Sequence, residues 1–269
     1  MVRKYDFGLV VIIGGSEFYS GSPAFSALSA FRAGADMVRI IAPKRAADII
    51  ASFKPDLAAY PLEGLRLNEK HLATLITMVE SAKAASRGKT AIVVGGGLGR
   101  SKETQETVVD FLSKVEIPAV IDADGINALE GKEDVISGRP FLITPHLHEF
   151  FVLTGKEIGN LTMEERIKMV KEQAGRLGTT ILLKGQTDII SDGKEVALNK
   201  TGSLYMTKGG MGDTLAGIAG ALLARGVSPF EAAEASAYIN GAAGELAIKR
   251  FGESVMASDL IEEIVNVIK

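Results

Sequence analysis

The chain has 269 residues, 46% of them apolar and 23% charged, and a net charge of −3, the balance of a globular protein with a sizeable core. With no cysteine and only three histidines (His71, His146, His148), disulfides, a thiol nucleophile and a Cys- or His-built metal site are excluded. Acids and bases are interspersed and no apolar run nears the ~20 residues of a membrane span, which points away from nucleic acid and membrane and toward a cytoplasmic protein.

Taken in chain order, β-branched runs at 9–13, 37–41, 90–94, 118–122, 140–144 and 179–184 read as buried strands. Helical patterns fall at 22–33, 43–53, 69–86, 102–115, 162–177, 212–225, 229–249 and 258–268. Ser22-Pro23 reads as an N-cap with proline at the first helical position. Thr162 with Glu165 reads as a capping box, and Gly178 as the stop of that helix. Residues 187–199 carry strand, Asp-Gly turn, strand, a hairpin late in the chain. Alternating strands and helices predict one α/β domain over 1–269, with a mostly parallel sheet covered on both faces.

Ligands in such sheets bind beyond the carboxyl ends of the strands. The polar and glycine clusters GGSE, GGGLGR, DADGIN, TPHLHE and KGQTD all follow predicted strands, so one crevice is expected to collect them. TKGGMGDTLAGIAGALLARG (207–226) is the most telling stretch: Gly209, Gly210 and Gly212 surround Asp213 at the start of an apolar helix. Glycines there let a phosphate approach the free N–H groups of a helix start. An acid beside a phosphate hinders simple binding, but it suits a base that deprotonates a hydroxyl attacking phosphorus. GGGLGR fails the dinucleotide pattern at Arg100, and no Walker A loop occurs. That segment reads equally as a glycine-rich turn. Lys184 fits a phosphate or ribose contact and equally a solvated lysine, His146 stands at a strand end where a ligand would come, and His148 reads as structural.

With these stretches assembled, the chain resembles the ribokinase-like, ADP- or ATP-dependent NAD(P)H-hydrate dehydratases over about 5–268. The resemblance is carried by YDFGLVVIIGGSEFYSGSPAFSALSAFRAGADMV, VVGGGLGR, VIDADGINAL, LITPHLHEF, LLKGQTDII, NKTGS and TKGGMGDTLAGIAGALLARGVSPFEAA. It implies a three-layer ribokinase-like fold. It also implies an enzyme that phosphorylates the ring hydroxyl of hydrated NADH or NADPH, using ADP or ATP with Mg2+, and then eliminates phosphate. By resemblance, Asp213 is the base that contacts the hydrate, and the Gly210, Met211 and Gly212 backbone forms the anion hole. Lys184, Gly185, Gln186, Thr187 and Asp188, with Gly212, line the nucleotide. Ser22, Gly97 and His146 hold the hydrated dinucleotide. Asp124 and Asn127 take supporting or magnesium-related roles, and the metal's ligands are left unassigned.

Four departures stand out. The family usually has GPGLG where Gly95-Gly96-Gly97-Leu98-Gly99 stands, and TPHPGE where Leu147-His148 stands. Alanine is common at Ser22, and threonine at Met211. Many members carry an epimerase domain first. The pattern here begins within ten residues, so that activity is expected from a separate protein, and a homo-oligomer is expected. A vitamin-precursor kinase of the same fold is the rival reading, and a non-catalytic nucleotide sensor is a further one. A kinase would release a phosphorylated alcohol in place of free phosphate.

Overall fold

A computed structural model describes residues 3–269. Nine strands form a single sheet: β1 (Leu9–Ile13), β2 (Met37–Pro43), β3 (Ala58–Leu62), β4 (Thr90–Val94), β5 (Ala119–Ile121), β6 (Phe141–Ile143), β7 (Thr180–Leu183), β8 (Asp188–Ser191) and β9 (Val196–Asn199). Their order is β3-β2-β1-β4-β5-β6-β7-β8-β9. Pairings from β3 to β7 are parallel, and β7-β8-β9 are antiparallel. This is the mostly parallel sheet with a late hairpin that the sequence predicts.

The period-2 geometry of a strand sorts its side chains between two cores. Val10, Ile12, Val93, Val120, Leu142 and Leu182 face one helical layer. It is built from α1 (Gly21–Arg32), α8 (Met211–Ala224), α9 (Pro229–Phe251) and α10 (Ala257–Ile268). Leu9, Val11, Val94, Ile121, Ile143 and Leu183 face the other. That layer includes α3 (Leu72–Ala85), α4 (Lys102–Lys114), α6 (Leu147–Thr154) and α7 (Met163–Leu177). Two short helices, α2 (Lys44–Phe53) and α5 (Asp124–Asn127), complete the set. No helix among the described residues is long and apolar enough to cross a membrane.

The capping box at Thr162 is present, with Thr162 Oγ1 accepting from Glu165 N–H, and Gly178 ends α7 in the left-handed region at φ 60°. Ser22 is a correction. Helix α1 starts at Gly21 after Ser20, and Ser22 Oγ caps nothing; it donates to Asp213 Oδ1 instead. The sequence reading also lacked β3, α5 and α6. Strand β3 is a largely exposed edge with Pro61 inside it, so it shows no apolar alternation.

Helix α8 is buried on nearly all sides and packs along α1. The contact is tightest at Gly217, where an added Cβ would overlap Ser26 O and Ser29 Oγ. Gly217→Ala is therefore expected to cost about 1–3 kcal/mol by overpacking, read as a lower denaturation midpoint. Activity should fall as well, because the α1–α8 spacing sets the distance from Ser22 to Asp213.

Candidate active site

The strand order changes direction between β1 and β4, the point where open α/β sheets place their ligands. The loops leaving these two strands are tied together there: Gly15 N–H donates to Gly96 O (2.9 Å) and Gly95 N–H to Ile13 O (3.2 Å). Helix α8 begins beside this junction. Gly210, its N-cap, sits at φ 94°, a backbone that favours glycine. A Cβ there would also press on Ala257 and Phe25. Met211 N–H turns back to Lys208 O and Thr214 N–H reaches Gly210 O. The N–H groups of Gly212 and Asp213 precede any intrahelical acceptor and remain available to an anion. Asn240 of α9 braces this turn, its Oδ1 accepting from Thr214 Oγ1 (2.7 Å) and its Nδ2 donating to Met211 O (3.4 Å).

Asp213 lies in the first turn of α8. Helix α1 grips both of its ends: Ser22 Oγ donates to Oδ1 and Ser26 Oγ to the backbone oxygen (3.0 Å). Burial pushes the Asp213 carboxyl up to about 6, with Asp122 and Asp124 adding to the rise, while the Ser22 hydrogen bond and Lys184 oppose it. A carboxylate near 6 is basic enough to take a proton yet largely ionised at pH 7.

Three neighbouring strands end in a polar cluster. Asp122, Thr144 and Lys184 each stand one residue beyond β5, β6 and β7. Asp122 Oδ1 accepts from Thr144 Oγ1 and from Lys184 Nζ, both at 2.7 Å. Lys184 Nζ is also 3.7 Å from Glu149 Oε2. Burial works to lower the Lys184 pKa, but Asp122, Glu149 and more distantly Asp213 outweigh it and hold it above the usual lysine value. A Cβ on Gly212 would stand 3.6 Å from Lys184 Nζ and 3.8 Å from Asp122 Oδ2, so this charged cluster faces the start of α8.

His146 is the N-cap of α6. Its Nδ1 accepts from the N–H groups of His148 (3.1 Å) and Glu149 (3.2 Å), and Glu149 Oε2 accepts from His146 N–H (2.9 Å). The network assigns the ring proton to Nε2, 3.3 Å from Glu149 Oε1. Leu147 occupies the first helical position, where proline is equally at home, so the Leu147-His148 departure leaves this cap intact.

Beside the α8 start opens a cavity of about 640 Å³ between the turn after β7, residues 200–207, α8 and α9. Lys184, Gly185, Gln186, Thr187, Asp188 and Gly212, the residues that the resemblance assigns to a nucleotide, line it together with His146. Burial raises the Asp188 carboxyl against the hydrogen bonds it accepts from Asn199 Nδ2 and Gly185 N–H (both 2.9 Å). Ser22, Gly97 and Asp213 lie on the side of the α8 start where the β1 and β4 loops meet. His146 thus lines the cavity, whereas Ser22 and Gly97, grouped with it by the resemblance, are not among its lining residues.

Asp124 accepts from Gly99 N–H (2.8 Å) and Arg100 Nε (3.1 Å), fixing the β4 loop. Asn127 turns its amide to Ala123 O (3.1 Å) and braces α5 locally. Sequence reading placed Asp122, Thr144 and Glu149 in the DADGIN and TPHLHE clusters but singled none of them out. Asp122 and Thr144 carry the signal that marked Lys184, a polar residue directly after a buried strand. Nothing in the structure requires glycine at 209. No group of three or more His, Asp or Glu among the described residues is arranged to hold a metal ion.

The profile of the family described as NAD(P)H-hydrate dehydratase matches residues 10–266. A bifunctional NAD(P)H-hydrate repair enzyme of Pyrobaculum aerophilum is 43% identical over 269 residues, covering 99% of this chain and 52% of the relative. The ADP-dependent (S)-NAD(P)H-hydrate dehydratase of Cenarchaeum symbiosum is 38% identical over 273 residues, covering 99% and 90%. Among solved structures, the ADP/ATP-dependent NAD(P)H-hydrate dehydratase of Bacillus subtilis co-crystallized with ATP/Mg2+ is 25% identical with a TM-score of 0.77, covering 99% and 91%. The chain spans about half the length of the first curated relatives it matches, all bifunctional repair enzymes. With the ribokinase-like sheet and the site at its strand ends, these matches show that the chain belongs to the NAD(P)H-hydrate dehydratase family.

Proposed function

We propose that this chain restores NADH or NADPH from the hydrated form, with ADP or ATP as phosphoryl donor. The observation that carries the reading is the place of Asp213, between the nucleotide-sized cavity and the wall formed by Ser22, Gly96 and Gly97. The nucleotide's terminal phosphate comes to the Gly212 and Asp213 N–H groups, with Lys184 on the cavity side. Ser22 occupies Asp213 Oδ1, which leaves Oδ2 to take the proton of the ring hydroxyl. The hydroxyl oxygen bonds to phosphorus as the bond to the bridging oxygen breaks, releasing AMP from ADP or ADP from ATP. The ring nitrogen's lone pair then expels phosphate as the carbon–oxygen bond breaks. A proton leaves the neighbouring ring carbon and the double bond returns. Phosphorylation makes chemical sense because hydroxide is a poor leaving group and phosphate a good one.

Mg2+ fits this arrangement when carried in on the nucleotide, since it takes one or two carboxylates alongside substrate phosphates and Asp122 Oδ2 faces the α8 start. Asp122, with Asp124 nearby, would hold it there, and bound it would offset phosphate charge. The C. symbiosum relative is named ADP-dependent, so ADP is the first donor to test. Purified protein given hydrated NADH, Mg2+ and ADP or ATP should regain NADH absorbance and release free phosphate in equal amounts. Formation of a stable phosphorylated alcohol with no NADH would favour the small-molecule kinase instead.

A further inference from the structure

In the β4 loop, Gly95, Gly97 and Gly99 sit at φ 133°, 68° and 80°, where the backbone itself favours glycine. Gly96, between them, has no positive φ. Space is what excludes a side chain there: an added Cβ would overlap Ser22 Oγ and stand 2.7 Å from Asp213 Oδ1. The Ser22 hydroxyl fills this place and gives its proton to Asp213 Oδ1. Ser22 and Ser26 are one helical turn apart on the same face of α1, so the side chain and the backbone of Asp213 are held from a single rigid element.

We propose that Ser22 and Gly96 act as a coupled pair that positions Asp213: the missing Cβ at 96 admits the Ser22 hydroxyl, which fixes the carboxylate and leaves Oδ2 open to the substrate. Ser22 is then a positioning residue acting through Asp213. Its catalytic consequence rests on the dehydratase reading, whereas the coupling itself does not. The charged groups facing Asp213 are Asp122 beyond β5, Asp124 of α5 and Lys184 beyond β7. Against the two acids, the Ser22 hydroxyl and Lys184 both favour the ionised form. Removing the hydroxyl must therefore raise the pH at which Asp213 loses its proton.

The test uses the full chain with carbon-13 in its aspartate carboxyls, in wild type, Ser22→Ala, Gly96→Ala and the double variant, with Asp213→Asn to assign the resonance. In Ser22→Ala the Asp213 titration should move up by about one pH unit. The acidic limb of the kcat profile should move with it, and kcat should change more than KM. Gly96→Ala alone should lower kcat about 100-fold by displacing the carboxylate. The double variant should recover part of that loss, because Ser22 Oγ is gone and only Asp213 Oδ1, 2.7 Å from the new Cβ, still has to shift. An unmoved Asp213 titration in Ser22→Ala, or strictly additive effects in the double variant, overturns the pair. If wild type turns over no hydrate, the dehydratase reading fails, while the carboxyl titrations still decide the coupling. If Gly96→Ala does not fold, the Ser22→Ala titration decides alone.

Discussion

Asp213→Asn is expected to abolish turnover and, above pH 6, to make the folded protein more stable. Asparagine keeps the shape of the side chain and can still accept from Ser22 Oγ, so the α1–α8 junction should survive. It cannot take the hydroxyl proton, and loss of a general base lowers kcat by about 10²–10⁴-fold. Removing a negative charge beside the Gly212 N–H groups should leave ADP affinity unchanged or tighter, as calorimetry would show. The stability effect follows from the carboxyl's position near 6, raised by burial above its usual 3.8. The fold favours the protonated acid, so its contribution is complete below about pH 4 and is lost as pH rises through 6. At pH 8 the wild type therefore carries a penalty on the order of 2–3 kcal/mol that asparagine lacks. Melting curves at pH 8 should place the variant several degrees above wild type, and the gap should close near pH 4. A variant keeping a tenth of wild-type kcat would remove Asp213 from the role of base.

Much of this arrangement was written in local patterns. Buried strands such as LVVII and TAIVV announce themselves by apolar composition, and both proved buried at every residue. The glycines around Asp213 and the acid itself mark a helix start whose Gly212 and Asp213 N–H groups stay open. Other features needed three dimensions. Helix α6 hides in TPHLHEF because its cap is a histidine ring, a residue outside the usual Ser, Thr, Asp and Asn set. Ser22-Pro23 looks like a cap because Ser and Pro are common there, yet helix α1 begins one residue earlier and frees the hydroxyl for a partner 191 positions away. The departures at Ser22 and Gly96 look independent in the chain, and only the fold brings them into contact. Glu149 is a further case: a surface-like residue by type, it is 4% exposed because it is paired from both sides, by the His146 cap and by Lys184.

Lys184→Met should cost both stability and rate, and the two losses can be separated. Asp122 and Glu149 are each only 4% exposed, and Lys184 Nζ is the cation within 2.7 Å of one and 3.7 Å of the other. Taking away one partner of a buried ion pair leaves an uncompensated charge, at about 3–5 kcal/mol. The lysine's pKa is held above 10.5 by these acids, so its contribution is complete below the ordinary lysine range and is lost only as pH rises through the higher folded value. Between pH 6 and 9 the stability deficit of the variant should therefore stay nearly flat, as denaturant titrations would show. The same ammonium faces the α8 start, where the proposed transfer would build phosphate charge, and such a donor contributes about 10²–10³-fold in kcat. Adding Glu149→Gln to Lys184→Met removes one of the two stranded charges and leaves Asp122 in place, so part of the lost stability should return while turnover stays low. Recovery of kcat together with stability would reduce Lys184 to a counter-ion for these buried acids. Persistent loss of kcat in the restabilised variant is the outcome expected of a lysine that meets the phosphoryl group.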